Sequence, residues 1–409
     1  MILKNARLIP ELCEGFEQET ADIRIEGKKI AEILPAGGEY AGEEVLDLQG
    51  KTVLPGLFNC HEHFYFAKNS FPFLHDFTDA DHLFHSINYS QELLSYGYTF
   101  VKDCGSIHDT AIKLRDAVSA GLVQGPNMLA CGPSNSPHFA DEGLLDIYTS
   151  TAVENHPIDD ISQIRGQVAM LLSRGADFIK ICGSSRKVGG KKPEDLLGQP
   201  LWTAEEIAEF VKWAEFYNSY VTMHSTCVES HDQAIAAGVW TIDHDIYMTQ
   251  EQIDRIAASE KTINLVPTLA VSYVGYHENW PTYDKCHPGA GNAVRMAEEA
   301  GINVGFGTDD FQKDFQKMPA VEWIARSEFG LTPLQLLKQA TINSAKICKC
   351  EKKRGSIKVG KMADFAIVDG DPLEDLMVFN TPCAYVFRDG ALVSDHGIIR
   401  NGNVKYKVK

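Results

Sequence analysis

Three textures of hydrophobic patterning follow one another along the chain. Up to residue 55, short apolar runs alternate with turn residues: Met1-Ile2-Leu3, then Ala21-Asp22-Ile23-Arg24-Ile25 before Glu26-Gly27, then residues 30–34 before Pro35 and Gly37-Gly38. Strand-length runs bounded by Gly and Pro predict a small β-structure. The tail from residue 355 repeats the style, with apolar runs at 364–368, 384–387 and 391–393 set off by Asp369-Gly370 and Asp389-Gly390. Head (1–55) and tail (355–409) are expected to pair as one small β-sandwich domain.

Between them, short apolar runs alternate with longer segments of helical period, the signature of repeated βα units. Strands are predicted at 57–60, 99–103, 127–131, 178–181, 220–223, 240–243, 263–266 and 303–306. Several follow a helix-stopping glycine, as in Ala120-Gly121, Arg174-Gly175, Ala237-Gly238 and Ala300-Gly301. Eight such units predict an α/β chain whose residues 56–354 form a (β/α)8 TIM barrel, a fold whose chemistry sits at the C-terminal strand ends.

The polar residues fall at those ends. His61-Glu62-His63 follows the first strand, Lys180 lies in the apolar run of the fourth, His224 follows the fifth, His244 the sixth, and Thr308-Asp309-Asp310 the eighth. Strand residues two apart share a face, so His61 and His63 can both face the barrel axis while Glu62 points away. Imidazole and carboxylate donors converging there predict a metal site, with zinc favoured over manganese, iron or cobalt. Lys180, among Phe178, Ile179 and Ile181, must be paired or chemically altered, because a lone buried ammonium is costly. Two forms fit: a salt bridge to a strand neighbour such as Asp103, or a CO2-derived carbamate bridging two metals.

Charge narrows the partners. The chain has 38 Lys+Arg against 56 Asp+Glu, a formal charge of −18, and lacks the positive footprint that nucleic acid or an anionic membrane requires. Lys4, Arg7 and Glu11 interrupt what would be the apolar stretch of a signal peptide, so a soluble, cytoplasmic protein with a small-molecule substrate is expected. The 10 cysteines include no C-x-x-C pair and read as free thiols; Cys348 and Cys350 are expected to be structural. Cys60, Cys104, Cys131, Cys182 and Cys227 lie at or past strand ends, where packing is the usual use of a buried thiol.

The ordered set His61-x-His63, Lys180, His224, His244 and Asp309 resembles the metal site of the amidohydrolase superfamily. The likeness covers nearly the whole chain: the head through Ile30-Ala31-Glu32-Ile33, Val45-Leu46-Asp47 and Val53-Leu54-Pro55-Gly56-Leu57, the tail through Gly355-Ser356-Ile357 and residues 359–365, 369–373 and 388–390. Residues 97–103, 175–181 and 237–244 are similar to the strand signatures of its prolidase-like or imidazolonepropionase-like group. Two departures, Ser225-Thr226-Cys227 after His224 and Asp245 after His244, are expected beside the substrate, so substrate identity does not carry over.

The resemblance implies two Zn2+ per chain, bridged by a carbamate on Lys180. His61, His63 and Asp309 would hold the first metal, His224 and His244 the second, with a bridging hydroxide as nucleophile. Asp309 would act as general base and then general acid in cleaving the amide bond of a dipeptide or N-acyl amino acid. His138 stands where the group often carries a substrate-loop histidine that polarises the carbonyl. Arg186 and Lys187 could pair with a substrate carboxylate, and Tyr273 could wall the pocket with the aromatic, His-rich loop 64–85. The competing enzyme is a mononuclear deaminase or imidazolone-type cyclic-amide hydrolase. Deaminases of the superfamily usually place a Glu where this chain has Cys227, and Glu229 stands two positions further on, which argues against deamination. A homo-oligomer is implied by the family.

Overall fold

The computed structural model describes residues 1–66, 78–137, 158–185, 198–277 and 286–401. Head and tail share one sheet of nine strands. Its order is Ile398–Ile399, Ala391–Asp395, Tyr385–Arg388, Phe365–Val368, Thr52–Pro55, Ile2–Arg7, Thr20–Glu26 and Lys29–Pro35, with Val45–Asp47 parallel to Ile2–Arg7. The two ends of the chain meet where Phe365 stands opposite Pro55 and Val368 opposite Thr52, in antiparallel register. Leu3, Ile23, Ile25, Val53, Phe365, Ile367 and Phe387 fill the core on this sheet, as alternating apolar positions require.

The central residues form parallel strands, most of them followed by helices. Strands β1 (Leu57–Glu62), β2 (Tyr98–Asp103) and β3 (Asn127–Ala130) make one parallel sheet; β4 (Ile179–Cys182), β5 (Val221–His224), β6 (Thr241–Asp243) and β7 (Asn264–Val266) make a second. Asp177 N–H donates to Ala130 O, and Asn135 bridges Ile181, where the two sheets adjoin. Ile179, Ile181, Val221, Met223, Ile242 and Leu265 pack in one core with Val168, Ile207, Phe210, Ala234 and Ile253 from the covering helices, the layered burial of an α/β fold. The helix Val228–Ala237 ends at Gly238, whose φ of 72° is the left-handed stop that the Ala-Gly pattern predicts.

The eighth predicted strand is a correction. Residues 303–306 carry a single bridge, Val304 to Leu265, and no regular ladder. The segment still bonds on both sides, through Gly305 N–H to Leu265 O at 2.9 Å and Cys60 N–H to Phe306 O at 2.7 Å. Its glycines explain the departure. A Cβ at Gly305 would lie 2.4 Å from Ile347 Cδ1, and one at Gly307 would lie 2.9 Å from His61 Cβ, so the backbone threads a gap that admits no side chain. That close approach delivers Asp309 to β1. Among the described residues no helix is long and apolar enough to cross a membrane.

Candidate metal centre

Strand alternation places the first two histidines as expected. His61 and His63 turn to one side, while Glu62 turns away to accept from Asn59 Nδ2, Thr308 Oγ1 and Tyr89 Oη. His63 Nδ1 lies 2.9 Å from Gly105 O. A carbonyl only accepts, so this nitrogen carries the hydrogen. His61 Nδ1 lies 2.8 Å from Asp243 Oδ2. Burial opposes ionisation of Asp243, but the Lys180 charge and the hydrogen bond from His61 prevail and hold its carboxyl well below the usual range, so it too accepts. Burial pushes the His61 imidazole well below its ordinary value and His63 down to about 3, so both rings are neutral at pH 7.

Both Nε2 atoms therefore present lone pairs, and they lie 3.3 Å apart. Asp309 Oδ1 is 3.5 Å from His63 Nε2 and 3.7 Å from His61 Nε2. It is buried and has no hydrogen-bond partner among the described residues. Three such groups can converge only around a proton or a cation; burial raises the Asp309 carboxyl well above the usual range, so without a cation it keeps a proton that a divalent cation would displace. Two nitrogens bound to zinc at ~2.05 Å and a tetrahedral angle stand about 3.3 Å apart. The donor set therefore fits a divalent cation.

The remaining predicted ligands gather beside it. His224 ends β5 and His244 follows β6, with ring centroids 4.4 Å apart, and His244 lies 4.7 Å from His61. His244 Nδ1 is 2.7 Å from Thr268 Oγ1 and 3.9 Å from Asp309 Oδ2. His61, His244 and Asp309 each offer a donor atom within 4.8 Å of the others. Lys180 Nζ donates to Asp243 Oδ2 at 2.6 Å. Burial alone would lower the Lys180 pKa, but the Asp243 charge reverses this and raises it. The salt-bridge partner is thus Asp243 rather than Asp103, which instead accepts from Phe64 N–H and Gly105 N–H.

Asp243 and Thr268 are absent from the sequence reading. Alternation would put Asp243 and His244 on opposite faces, yet both reach the site, because His244 has a φ of 79° and the backbone turns over at that residue. Asp245 (42°), Tyr247 (63°), Thr268 (45°) and Asp309 (55°) share the left-handed region, where a threonine is strained. A cluster of left-handed non-glycine residues at strand ends leaves no sequence signal.

Other expectations fare differently. His138, Arg186 and Lys187 lie outside the described residues. Tyr273, on the helix Leu269–His277, packs its ring 4.2 Å from that of His277 and bonds Glu328. Asp245, expected beside the substrate, is fully buried, and Arg326 is the charge that acts on it most. The strand-end cysteines are buried. Cys60 Sγ lies 3.7 Å from Cys348 Sγ, and Cys182 Sγ lies 3.7 Å from Ser134 Oγ. Cys104 approaches the site, with donor atoms of His61 and Asp243 within 4.8 Å.

The ochratoxinase of Aspergillus niger is 24% identical, over 85% of this chain and 76% of its own. Its crystal structure superposes with a TM-score of 0.82, covering 100% of this chain and 98% of that one. The imidazolonepropionase of Treponema denticola is 24% identical over 89% of this chain and 88% of its own. A Xaa-Pro dipeptidase, solved with methionine bound in its active site, is 25% identical with a TM-score of 0.82 over 96% of this chain and 98% of that one. These neighbours give the chain a TIM-barrel-type fold with an additional domain. With the model of the Amidohydrolase family matching residues 52–393, the chain belongs to that family and is a hydrolase.

Proposed function

We propose that this hydrolase is a two-zinc amidohydrolase that cleaves the amide bond of a dipeptide or an N-acyl amino acid. The observation that carries the reading is the pair of acceptor-fixed imidazoles, with Nε2 atoms 3.3 Å apart and beside them Asp309 Oδ1, which has no hydrogen-bond partner among the described residues. His61, His63 and Asp309 would hold one cation, and His224 and His244 the other, with a carbamate on Lys180 between them. The cations would supply Lewis acidity, polarising the carbonyl and making water acidic enough to attack at neutral pH. Asp309 takes the water proton at its carboxylate and returns it to the departing amine. Forming the carbamate joins the Lys180 amine to CO2 and releases the ammonium protons, so Asp243 must surrender its present partner. The dipeptidase relative supports an amide substrate with a free carboxylate, for which Arg186 and Lys187 are the candidate partners, with His138 on the scissile carbonyl and Tyr273 a candidate wall.

The reading includes a complete (β/α)8 barrel over 56–354, which the bonds of residues 303–306 to both β7 and β1 support. It includes a second domain made of 1–55 and 355–409, and a cytoplasmic homo-oligomer. The imidazolonepropionase relative favours one alternative, a one-metal hydrolase of a cyclic amide.

Metal content of protein purified without chelator, with the mass of the Lys180 peptide kept under bicarbonate, tests the proposal alongside a substrate panel. Close to two zinc per chain, a CO2 adduct and turnover of dipeptides or N-acyl amino acids are expected. One metal with unmodified Lys180 and turnover confined to cyclic amides would establish the alternative. No metal after reconstitution would overturn both.

A further inference from the structure

The histidines differ in what holds them. His61 and His63 donate from Nδ1 to groups that only accept, but His244 Nδ1 meets the Thr268 hydroxyl, which can donate or accept. If the hydroxyl accepts, His244 Nε2 presents a lone pair; if it donates, Nε2 carries the hydrogen. Position 268 therefore decides whether His244 can be a ligand.

Thr268 is held in place at some cost. It is buried, β-branched and strained, with a φ of 45°. It stands directly before the helix Leu269–His277, where a threonine hydroxyl would ordinarily accept from the helix's own N–H groups. Here that hydroxyl is on His244, and a carboxylate from another helix takes the capping role. Glu322, on Val321–Ser327, accepts from the N–H of Ala270 and of Leu269. Glu322 is itself bonded to Arg326 Nε at 2.6 Å, with both side chains fully buried. Arg326 is fixed in turn by Gly305 O at 2.9 Å and by Gln339 Oε1. A buried ion pair is a poor source of net stability, and no step of the proposed reaction uses this one. It does clamp the two residues that follow Thr268.

We propose that Thr268 is a positioning residue that accepts the Nδ1 hydrogen of His244, and that the buried Glu322–Arg326 pair holds the strained backbone that puts the hydroxyl there. The chain of contacts runs from Arg326 to Glu322, to the Leu269 and Ala270 amides, to Thr268 Oγ1 and then to His244. The second metal position of the proposed function rests on this orientation; the hydrogen's location does not rest on any metal.

Two readouts separate these levels. Long-range 1H–15N correlation spectra of metal-free protein labelled with [15N]histidine show which nitrogen of His244 carries the hydrogen, with His244→Gln assigning the signal. Competition titration against a chromophoric chelator gives the affinity of each zinc equivalent. In the unsubstituted protein the hydrogen is expected on Nδ1. Thr268→Val, close in shape but without the hydroxyl, should shift the His244 signals toward the other tautomer. It should also weaken the second equivalent by about 10- to 100-fold while sparing the first. Thr268→Ser should restore both, and Glu322→Gln should reproduce the spectral change without touching either side chain. Unchanged His244 signals in Thr268→Val, a hydrogen on Nε2 in the unsubstituted protein, or failure of Thr268→Ser to restore them would each overturn the proposal. A single zinc equivalent in the unsubstituted protein would instead sink the two-metal reading, and the spectra would still decide the role of Thr268.

Discussion

His61 and His63 lie two residues apart at the end of β1 and are oriented by acceptors, the Asp243 carboxylate and the Gly105 carbonyl; His224 and His244 come from two different strands, and His244 leans on a threonine hydroxyl. The first pair owes its convergence to strand alternation, a property of any β-strand. The second depends on left-handed backbone at His244 and Thr268 and on an ion pair elsewhere in the fold. Preorganised ligands lose less freedom when a cation binds. The β1 half should therefore load first and hold more tightly.

Asp309 is the residue that would abolish this distinction, because it approaches both halves: 3.5 Å and 3.7 Å to the β1 pair, 3.9 Å to His244. Asp309→Asn should reduce kcat by about 10^3-fold through loss of the proton acceptor. It should also weaken the first zinc equivalent, which it would hold, and to a lesser degree the second. Steady-state kinetics and metal content measured on one preparation would check this. Loss of only one equivalent would assign Asp309 to one half.

A smaller effect is expected from Asp243, which serves the β1 half. Its Oδ2 accepts from both His61 and Lys180, so Asp243→Asn loosens the imidazole and removes the lysine's counter-charge. The first zinc equivalent should bind about 10- to 100-fold more weakly, whereas Asp103→Asn, altering a carboxyl that among the described residues bonds backbone amides alone, should leave it nearly unchanged. Equal titration curves for the two variants would show that the β1 pair does not need its carboxylate.

The same contrast separates what the sequence could tell from what it could not. His61-x-His63 is readable because a two-residue spacing has one meaning on a strand. Seven of the eight strands follow from apolar runs and helix-stopping glycines, with ends shifted by a few residues at most. The eighth fails because Gly305 and Gly307 serve a close approach to Ile347 and His61, and a steric gap has no periodicity. Lys180 announces itself as a charge in an apolar run, but its partner does not, since Asp243 becomes its neighbour only through the pairing of β4, β5 and β6. Thr268 stands directly before a helix, where a threonine ordinarily caps. Its hydroxyl turns to His244 because Glu322, some fifty residues later, occupies the cap.

The smallest expected effect concerns the wall behind the β1 half. Burial, with a minor push from Asp103, raises the Glu62 carboxyl to about 8 even though it accepts from His63 N–H, Thr308 Oγ1 and Tyr89 Oη. The folded protein thus binds this proton more tightly than the unfolded chain, in which a glutamate titrates near 4.3. Stability from this group is fully present below the unfolded value and is lost as pH rises through about 8. Metal-free protein should accordingly melt several degrees lower at about pH 9 than at about pH 6. Glu62→Gln, neutral throughout, should flatten that slope, and its melting temperature should overtake that of the unsubstituted protein toward the alkaline end. Parallel melting profiles across the range would mean that the hydrogen bonds to Glu62 outweigh its burial. The carboxylate behind His61 and His63 would then be charged at neutral pH and would add its own attraction for a cation to theirs.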